Sequence, residues 1–236
     1  HGAWAQSLRA GNPHGPEQGQ SRDGNGFVWR HDRLELIGMD SIDLPSHSPF
    51  HRTCVLGRFR DRSTSQLISV FSAHFDHKGG DESGDGAEAR RQSAVLVMER
   101  AKASLSHGIS AVFVLGDFNT FQDRHGDCYA ALIQAGAGQF SDVRDVGEEV
   151  ECGRGDSTWE GWESNAWSRS KKGDQRYDQC FVSSGVQVLR TCVPNERFVT
   201  TAHQRAIFQA PPHVYASVSQ IASSVIAVNT WPTSPA

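Results

Sequence analysis

The side chains best suited to chemistry follow a short apolar run at 111–115. Such a run, closed by a glycine, is typical of a buried strand. Asp117 and Asn119 come directly after it, and they should point to one side while Phe118 points to the other, because side chains alternate along an extended backbone. Carboxylate and amide oxygens at the rim of a sheet suit Mg²⁺ and a phosphate group. The alternative is a structural role, since aspartate and asparagine also begin turns.

A second polar cluster, with two histidines and an aspartate, ends the predicted strand 67–75. His74 and Asp76 are two residues apart and therefore share one face of an extended chain, and His77 follows at once. Histidine can donate to a phosphate oxygen or move a proton near neutral pH. A structural histidine at a strand end is the competing interpretation.

Asp178 stands inside the apolar segment 177–182. An ionised carboxylate there costs several kcal/mol of folding free energy unless it is paired. Two partners are compatible with the pattern, namely a histidine that Asp178 orients for catalysis and an arginine in a salt bridge. His213 precedes a predicted strand at 214–221, and by itself it is most simply an ordinary loop histidine.

The predicted elements follow an order that is typical of α+β proteins. The strands at 53–60 and 67–75 are close enough in sequence to form an antiparallel pair, and apolar residues spaced by four predict a helix at 87–106. A glycine-containing turn predicts a hairpin of 177–182 and 186–193. The other predictions are strands at 27–30, 34–37 and 111–115, a turn-rich stretch at 43–51 and a helix at 128–135. Several strands with few helices favour antiparallel or mixed sheets over a doubly wound parallel sheet.

The length and composition are those of an ordinary globular protein with one large domain or two small ones. The chain has 236 residues, 37% of them hydrophobic, and a formal net charge of -4, which provides no global basic field for nucleic acid. No apolar run approaches the roughly 20 residues that span a bilayer. The five cysteines form no C-x-x-C pair, which argues against a zinc knuckle. Residues 1–26 lack apolar periodicity and are predicted to be loop or poorly ordered, and 223–236 are predicted to be a tail.

Taken in order, these motifs resemble the endonuclease/exonuclease/phosphatase superfamily, which includes DNase I, abasic-site endonucleases, sphingomyelinases and inositol-polyphosphate phosphatases. Residues 72–77 (SAHFDH) are similar to the family's strand ending T-H-F-D-H, and 88–94 (EARRQSA) to the E-A-R-x-x-S-A that begins its next helix. Residues 116–119 (GDFN) match its G-D-x-N. Residues 157–159 and 177–182 resemble its later T-F loop and D-x-I-F-V hairpin. The resemblance places a domain of this family at residues 27–222.

The resemblance implies a four-layer α/β/β/α sandwich (DNase I-like) and hydrolysis of phosphoester bonds with Mg²⁺ or Mn²⁺. It implies that Asp117 positions or activates the attacking water, that Asn119 orients the phosphate, and that both bind the metal. His74 would donate to the phosphoryl oxygens as charge builds up in the transition state. Asp178 would orient a final catalytic histidine, for which His213 is the match.

The resemblance also makes Arg90 and His77 candidate substrate-binding residues. The expected substrate is a phosphoester, and the pattern leaves open a small molecule, a lipid-linked compound and a nucleic acid. A basic run at 168–172 could meet phosphate backbones, although a solvated loop also explains it. No specific protein partner is implied.

The chain departs from the family pattern at two places. The family's last histidine sits in S-D-H, whereas His213 follows two prolines. The family's first strands carry N-x-N and then Q-E, whose glutamate is the main metal ligand, and neither Glu17 nor Glu35 stands in that context. These departures predict an N-terminally truncated or degenerate member. The alternative function is therefore the same fold with catalysis lost, acting as a binding module or having no function.

Two other enzyme classes fit the motifs less well. A metallo-β-lactamase fold requires H-x-H-x-D-H, and Ser72 stands where its first histidine belongs. A calcineurin-like phosphatase requires D-x-H before and G-N-H after a G-D, and the chain has neither.

Overall fold

Eleven strands and three helices make up the part of the chain that the structure describes. The structure is a computed structural model, and it describes residues 4–6, 21–22, 25–47, 50–77, 85–120, 126–149 and 177–191. The strands are β1 (Trp4–Gln6), β2 (Ser21–Arg22), β3 (Val28–Arg30), β4 (Leu34–Leu44), β5 (Phe50–Asp61), β6 (Leu67–His74), β7 (Ala111–Asp117), β8 (Phe140–Asp142), β9 (Glu148–Glu149), β10 (Asp178–Ser183) and β11 (Arg190–Thr191). The helices are α1 (Asp85–Ser106), α2 (Gly126–Gly136) and α3 (Val143–Val146).

One mixed sheet of seven strands organises the fold. Its order is β4-β5-β6-β7-β10-β8, and β2 runs parallel to the start of β5. The pairs β4–β5, β5–β6, β7–β10 and β10–β8 are antiparallel. β6 and β7 are parallel, because helix α1 lies between them and returns the chain to the same end of the sheet. The carboxyl ends of β6 and β7 therefore meet at one end of the sheet, where β10 begins.

The largest hydrophobic core covers one face of this sheet. It contains side chains from α1, α2 and the central strands, among them Phe71, Val97, Met98, Val112, Val114, Leu132 and Phe181. A smaller cluster on alternate residues covers the other face, with Val143, Cys180, Val182 and Val188 as its buried members. Because successive strand residues serve opposite faces, β7 and β10 are packed on both sides.

Most of the predicted elements are confirmed. The strands predicted at 53–60 and 67–75 form the antiparallel pair β5–β6. The helices predicted at 87–106 and 128–135 are α1 and α2. A mixed sheet with helices confirms the α+β class.

The predicted hairpin of 177–182 and 186–193 is wrong. β10 has β7 on one edge and β8 on the other, so no edge remains for a hairpin partner. In the described part of 186–193, the strand residues are those of β11, and β11 pairs parallel with β9. The local turn was predicted correctly, since Val186 N–H donates to Ser183 O at 2.9 Å, but the chain leaves the sheet after it.

The stretch predicted to be turn-rich, 43–51, is strand at its two ends, whereas the described residues 45–47 between them are not in a strand. The strand predicted at 34–37 continues to Leu44, and β5 begins at Phe50. β4 extends to Leu44 because its main chain pairs with β5 along its whole length. The register of this pair shifts between Leu36 and Gly38. Backbone hydrogen bonds do not need an apolar pattern, so the sequence gives no signal for this extension.

Part of the segment predicted to be loop is also strand, for the same reason. β1 pairs with β3, and β2 pairs with β5. Most other residues of 1–26, the range 150–176 with its three tryptophans, and everything after residue 191 lie outside the described residues. The domain and tail boundaries therefore stay predictions. Among the helices described, none is long and apolar enough to cross a membrane.

Candidate functional site

Three of the predicted site residues stand side by side across three strands. His74, the last residue of β6, is the register partner of Asp117, the last residue of the parallel strand β7. On the other side of β7, Asp178, the first residue of β10, is directly opposite Asp117. Register partners in neighbouring strands project from the same face of a sheet. The structure therefore brings His74, Asp117 and Asp178 together in one row at the end of the sheet.

Gly116 allows the two parallel strands to approach each other at this point. Its φ is +144°, and a Cβ added there would lie 1.9 Å from the carbonyl oxygen of Ala73. A side chain at this position would collide with the backbone of β6. The glycine of the G-D-x-N motif is thus explained by close backbone approach.

Phe118 anchors the motif in the core. The ring is fully buried, with its centroid 4.8 Å from that of Phe75 and 6.2 Å from that of Phe181. Its backbone N–H donates to Tyr177 O at 2.9 Å, which ties the end of β7 to the start of β10. Asp117 and Asn119 are both partly exposed. The predicted inward direction of Phe118 is confirmed, while Asn119 lies beyond the end of β7.

Asn119 forms a turn and also lies at the site. Its φ is +49°, and its N–H donates to Asp117 Oδ1 at 2.9 Å. Its side-chain Nδ2 donates to Phe75 O at 3.0 Å. The two interpretations of the sequence are therefore compatible, because the turn is what holds the Asn119 amide beside the Asp117 carboxylate.

His74 and Asp117 form a largely buried pair. The distance from His74 Nε2 to Asp117 Oδ2 is 3.6 Å, and the two side chains are 22% and 15% exposed. Burial lowers the pKa of His74 to about 3, and the charge of Arg52 acts in the same direction. Burial raises the pKa of Asp117, against the opposing effects of the Asn119 N–H and Arg52. His74 is therefore an uncharged imidazole at neutral pH, able to donate one hydrogen bond.

The loop after His74 holds Asp76 inside the protein. Asp76 is fully buried, and its Oδ2 accepts from His47 N–H at 2.5 Å and from Ser46 Oγ at 3.3 Å. β6 ends at His74, so Asp76 lies beyond the strand, but its charge is near enough to raise the pKa of His74 against the effect of burial. The carboxylate fastens the end of β4 to the site.

Arg90 is also buried against this loop. It is 1% exposed, and its Nη1 donates to Asp76 O at 3.1 Å. Burial lowers its pKa. The structure thus places Arg90 in the interior behind the loop, whereas His77, the other predicted substrate-binding residue, is exposed.

Sequence reasoning missed Arg52, which is 2% exposed beside the row. Its Nη2 lies 2.6 Å from Nδ1 of His77. A usable signal was present, since Arg52 directly precedes an apolar strand and a buried arginine needs acceptors. Its partner His77 is 25 residues away, so that pairing could not be predicted.

The last predicted member of the site, His213, lies outside the described residues. The orienting role of Asp178 toward His213 therefore stays a prediction. Asp178 itself is partly buried at the start of β10. The neighbouring Gln179 Nε2 donates to Thr120 O, a second link between β10 and the G-D-x-N turn.

The oxygen atoms at the row suit a hard divalent cation. Asp117, Asp178 and the amide oxygen of Asn119 are donors of the kind that Mg²⁺ and Mn²⁺ prefer. Within the described ranges, no three His, Cys, Asp or Glu side chains form a group that could hold a metal ion by themselves. Mg²⁺ often does without such a group, because it keeps several waters and binds a few carboxylates together with substrate phosphate oxygens. These residues therefore supply part of the oxygen ligand set for the ion that the family resemblance implies, without a counterpart of the family's glutamate in its Q-E context.

Solved structures with the same fold come from several bacteria. A mannosyl-6-phosphatase of Bacteroides thetaiotaomicron is 22% identical, with a TM-score of 0.58 over 76% of this chain and 64% of that one. An endonuclease/exonuclease/phosphatase from Bacteroides vulgatus is 22% identical, with a TM-score of 0.57 over 74% of this chain and 64% of that one. A conserved protein of unknown function from Enterococcus faecalis V583 is 15% identical, with a TM-score of 0.54 over 83% and 70%. At these identities the likeness shows the fold.

The sequence profile of the Endonuclease/Exonuclease/phosphatase family matches residues 1–199. No curated protein matches the sequence. The chain spans 64% of the length of each of the two Bacteroides proteins. Since the profile covers most of the chain, and the structure has the fold of that family, the chain belongs to the endonuclease/exonuclease/phosphatase family.

Proposed function

We propose that the chain is a metal-dependent phosphoester hydrolase whose site is centred on the row His74, Asp117 and Asp178. The observation that carries the proposal is the register, which aligns these residues on adjacent strands at one end of the sheet. Family members act on phosphoester bonds, and the three residue types are those that such chemistry uses.

His74 supplies a hydrogen bond to the phosphoryl oxygens. Its imidazole is uncharged at neutral pH and still carries one ring N–H, which can donate to an oxygen. Negative charge on these oxygens grows in the transition state, so a donor that is already fixed by packing stabilises the transition state more than the ground state.

Asp117 orients the attacking water and accepts a hydrogen bond from it. Its raised pKa brings the carboxyl group closer to the range in which it can take up a proton during the reaction. Asn119 holds Asp117 by its N–H, and its Nδ2 is directed to Phe75 O, so Oδ1 is the amide atom suited to a cation. Asp178 would orient His213, as the resemblance implies.

Asp117, Asn119 and Asp178 would hold Mg²⁺ or Mn²⁺. When bound, the ion polarises the phosphate group and neutralises charge that develops on its oxygens. His77 is exposed and is proposed to contact the substrate, whereas the position of Arg90 favours support of the loop over direct contact.

Small phosphoesters should be the first compounds tested as substrates. One structural relative is a mannosyl-6-phosphatase, which motivates a hexose 6-phosphate as a test compound. The net charge of -4 gives no reason to begin with nucleic acid. A chromogenic phosphodiester and a phosphomonoester should be tested beside the sugar phosphate, because the site chemistry suits both bond types.

The decisive experiment measures hydrolysis by chelator-treated protein before and after addition of Mg²⁺ or Mn²⁺. We expect activity that depends on the added ion and falls by roughly 100-fold or more in Asp117→Ala. Asp32→Ala is the matched control, because Asp32 is an exposed aspartate in the turn before β4, at the opposite end of that strand from Leu44. Folded wild-type protein that hydrolyses none of these compounds with either ion would contradict the proposal and favour a non-catalytic binding module.

A further inference from the structure

Arg52 is a buried cation next to the proposed site. It lies two residues before Cys54, which is the register partner of Ala73, so it belongs to the same end of the sheet as His74. A guanidinium that is 2% exposed carries a free-energy cost unless acceptors are present, and arginine stays charged even when its pKa is lowered by burial. Asp76 and Asp117 supply negative charge that opposes this lowering, so carboxylates compensate part of the cost, and the contact with His77 is the feature that remains to be explained.

The contact with Arg52 determines which ring nitrogen of His77 carries the proton. Arg52 Nη2 lies 2.6 Å from His77 Nδ1, and a guanidinium has donors but no acceptor. Nδ1 must therefore accept the hydrogen bond, and the ring proton must reside on Nε2. An imidazolium, with a proton on both nitrogens, could not make this contact.

We propose that Arg52 is a positioning residue of the site, which donates to His77 Nδ1 and so holds that imidazole as the Nε2–H tautomer. In the Nε2–H tautomer the single ring donor is at Nε2, from which it can donate to a phosphoryl oxygen. The positioning of His77 toward a substrate phosphate rests on the proposed function. The tautomer itself does not depend on it.

Two other contacts of this loop hold its main chain rather than the His77 side chain. Asn119 Nδ2 binds Phe75 O and Arg90 Nη1 binds Asp76 O, so these two donors fix main-chain groups. Neither contact determines where the proton of His77 resides. Arg52 instead contacts the imidazole of His77, an exposed residue beyond the end of β6.

Arg90 offers a matched control for the role of Arg52. Both arginines are buried, both bind the loop 75–77, and burial lowers the pKa of each. Replacing either removes a buried charge and a contact with the loop, and these contacts differ, since Arg52 meets an imidazole nitrogen and Arg90 a main-chain carbonyl. The pair separates loss of support from loss of tautomer control.

The direct test is long-range ¹H–¹⁵N correlation NMR of the full chain near neutral pH, with His77→Gln to assign the signals. We expect the Nε2–H pattern for His77 in wild type and in Arg90→Met, a mixture of tautomers in Arg52→Met, and the wild-type pattern in Arg52→Lys. An Nδ1–H pattern in wild type, or an unchanged pattern in folded Arg52→Met, would overturn the proposal.

Kinetics then links the tautomer to catalysis. We expect Arg52→Met to lose roughly 10- to 100-fold in kcat/KM, as for outer residues that orient active-site histidines, and Arg52→Lys to recover part of the loss. Circular dichroism identifies a variant that has failed to fold, in which case Arg52→Gln replaces Arg52→Met. Full activity in a variant with mixed tautomers would overturn the positioning role. If wild type shows the Nε2–H pattern but no hydrolysis, the tautomer assignment stands and the proposed function fails.

Discussion

Asp178 lies directly opposite Asp117 in the antiparallel pair β10–β7, although the two residues are far apart in the sequence. His74 is the register partner of Asp117 on its other side. Two carboxylates and an imidazole thus share one row, and the row owes its position to the parallel crossover through α1 and to the pairing of β10. The proposed hydrolase function depends on this alignment of His74, Asp117 and Asp178.

The stability of the protein should depend on pH through His74. An unfolded histidine takes up its proton near pH 6.5, whereas burial lowers the pKa of His74 to about 3 in the folded protein. Between these pH values the unfolded chain holds more protons, so the free energy of unfolding should fall as the pH decreases, by up to about 1.4 kcal/mol per pH unit.

Urea denaturation of wild type and His74→Gln at several pH values checks this expectation. The raised pKa of Asp117 contributes with the opposite sign, because the folded state then binds its proton first as the pH falls. The difference between the two curves isolates His74. Parallel curves would show that the folded state does not hold this imidazole neutral.

Gly116→Ala should be strongly destabilising. The added Cβ would meet Ala73 O at 1.9 Å and would occupy a residue with φ of +144°. We expect a loss of about 3 kcal/mol or more in the free energy of unfolding. Gly108→Ala is the control, since φ there is +79° but nothing lies within 4 Å, so backbone strain alone should cost about 1 kcal/mol. Equal losses would mean that β6 and β7 are not in close contact at this point.

Phe118→Ala tests whether the motif is anchored from the core side. The fully buried ring packs against Phe75, and its removal should cost about 3–5 kcal/mol. Val146→Ala, at a position that is 49% exposed, should cost less than about 1 kcal/mol. Chemical denaturation measures both. A small loss in Phe118→Ala would argue that Asp117 and Asn119 are held by other contacts.

Local patterns predicted the elements with strong side-chain periodicity. Helix α1 and the pair β5–β6 followed from apolar spacing and a short polar loop, and these signals depend on neighbours in the sequence. The extension of β4 to Leu44 was missed because it rests on main-chain pairing with β5. The hairpin was predicted wrongly because the edge it needed is occupied by β8.

The site shows the same division. The residue types and the two-residue spacing of Asp117 and Asn119 indicated oxygen donors for a phosphoester site. The family resemblance predicted that His74, Asp117 and Asp178 belong to one site, whereas their alignment in one row is a consequence of strand order. Arg52 was absent from the sequence prediction because its contact with His77 joins two different strand ends.

A double-mutant cycle in kcat/KM for phosphoester hydrolysis measures most directly whether His74 and Asp117 act together in catalysis. It compares wild type, His74→Gln, Asp117→Asn and the double variant, with Asp32→Asn as the control. If the row acts as one catalytic unit, each single change should cost roughly 100-fold or more, and the double variant should lose little beyond the worse single variant. Single variants with wild-type activity, or losses that simply multiply in the double variant, would contradict the account.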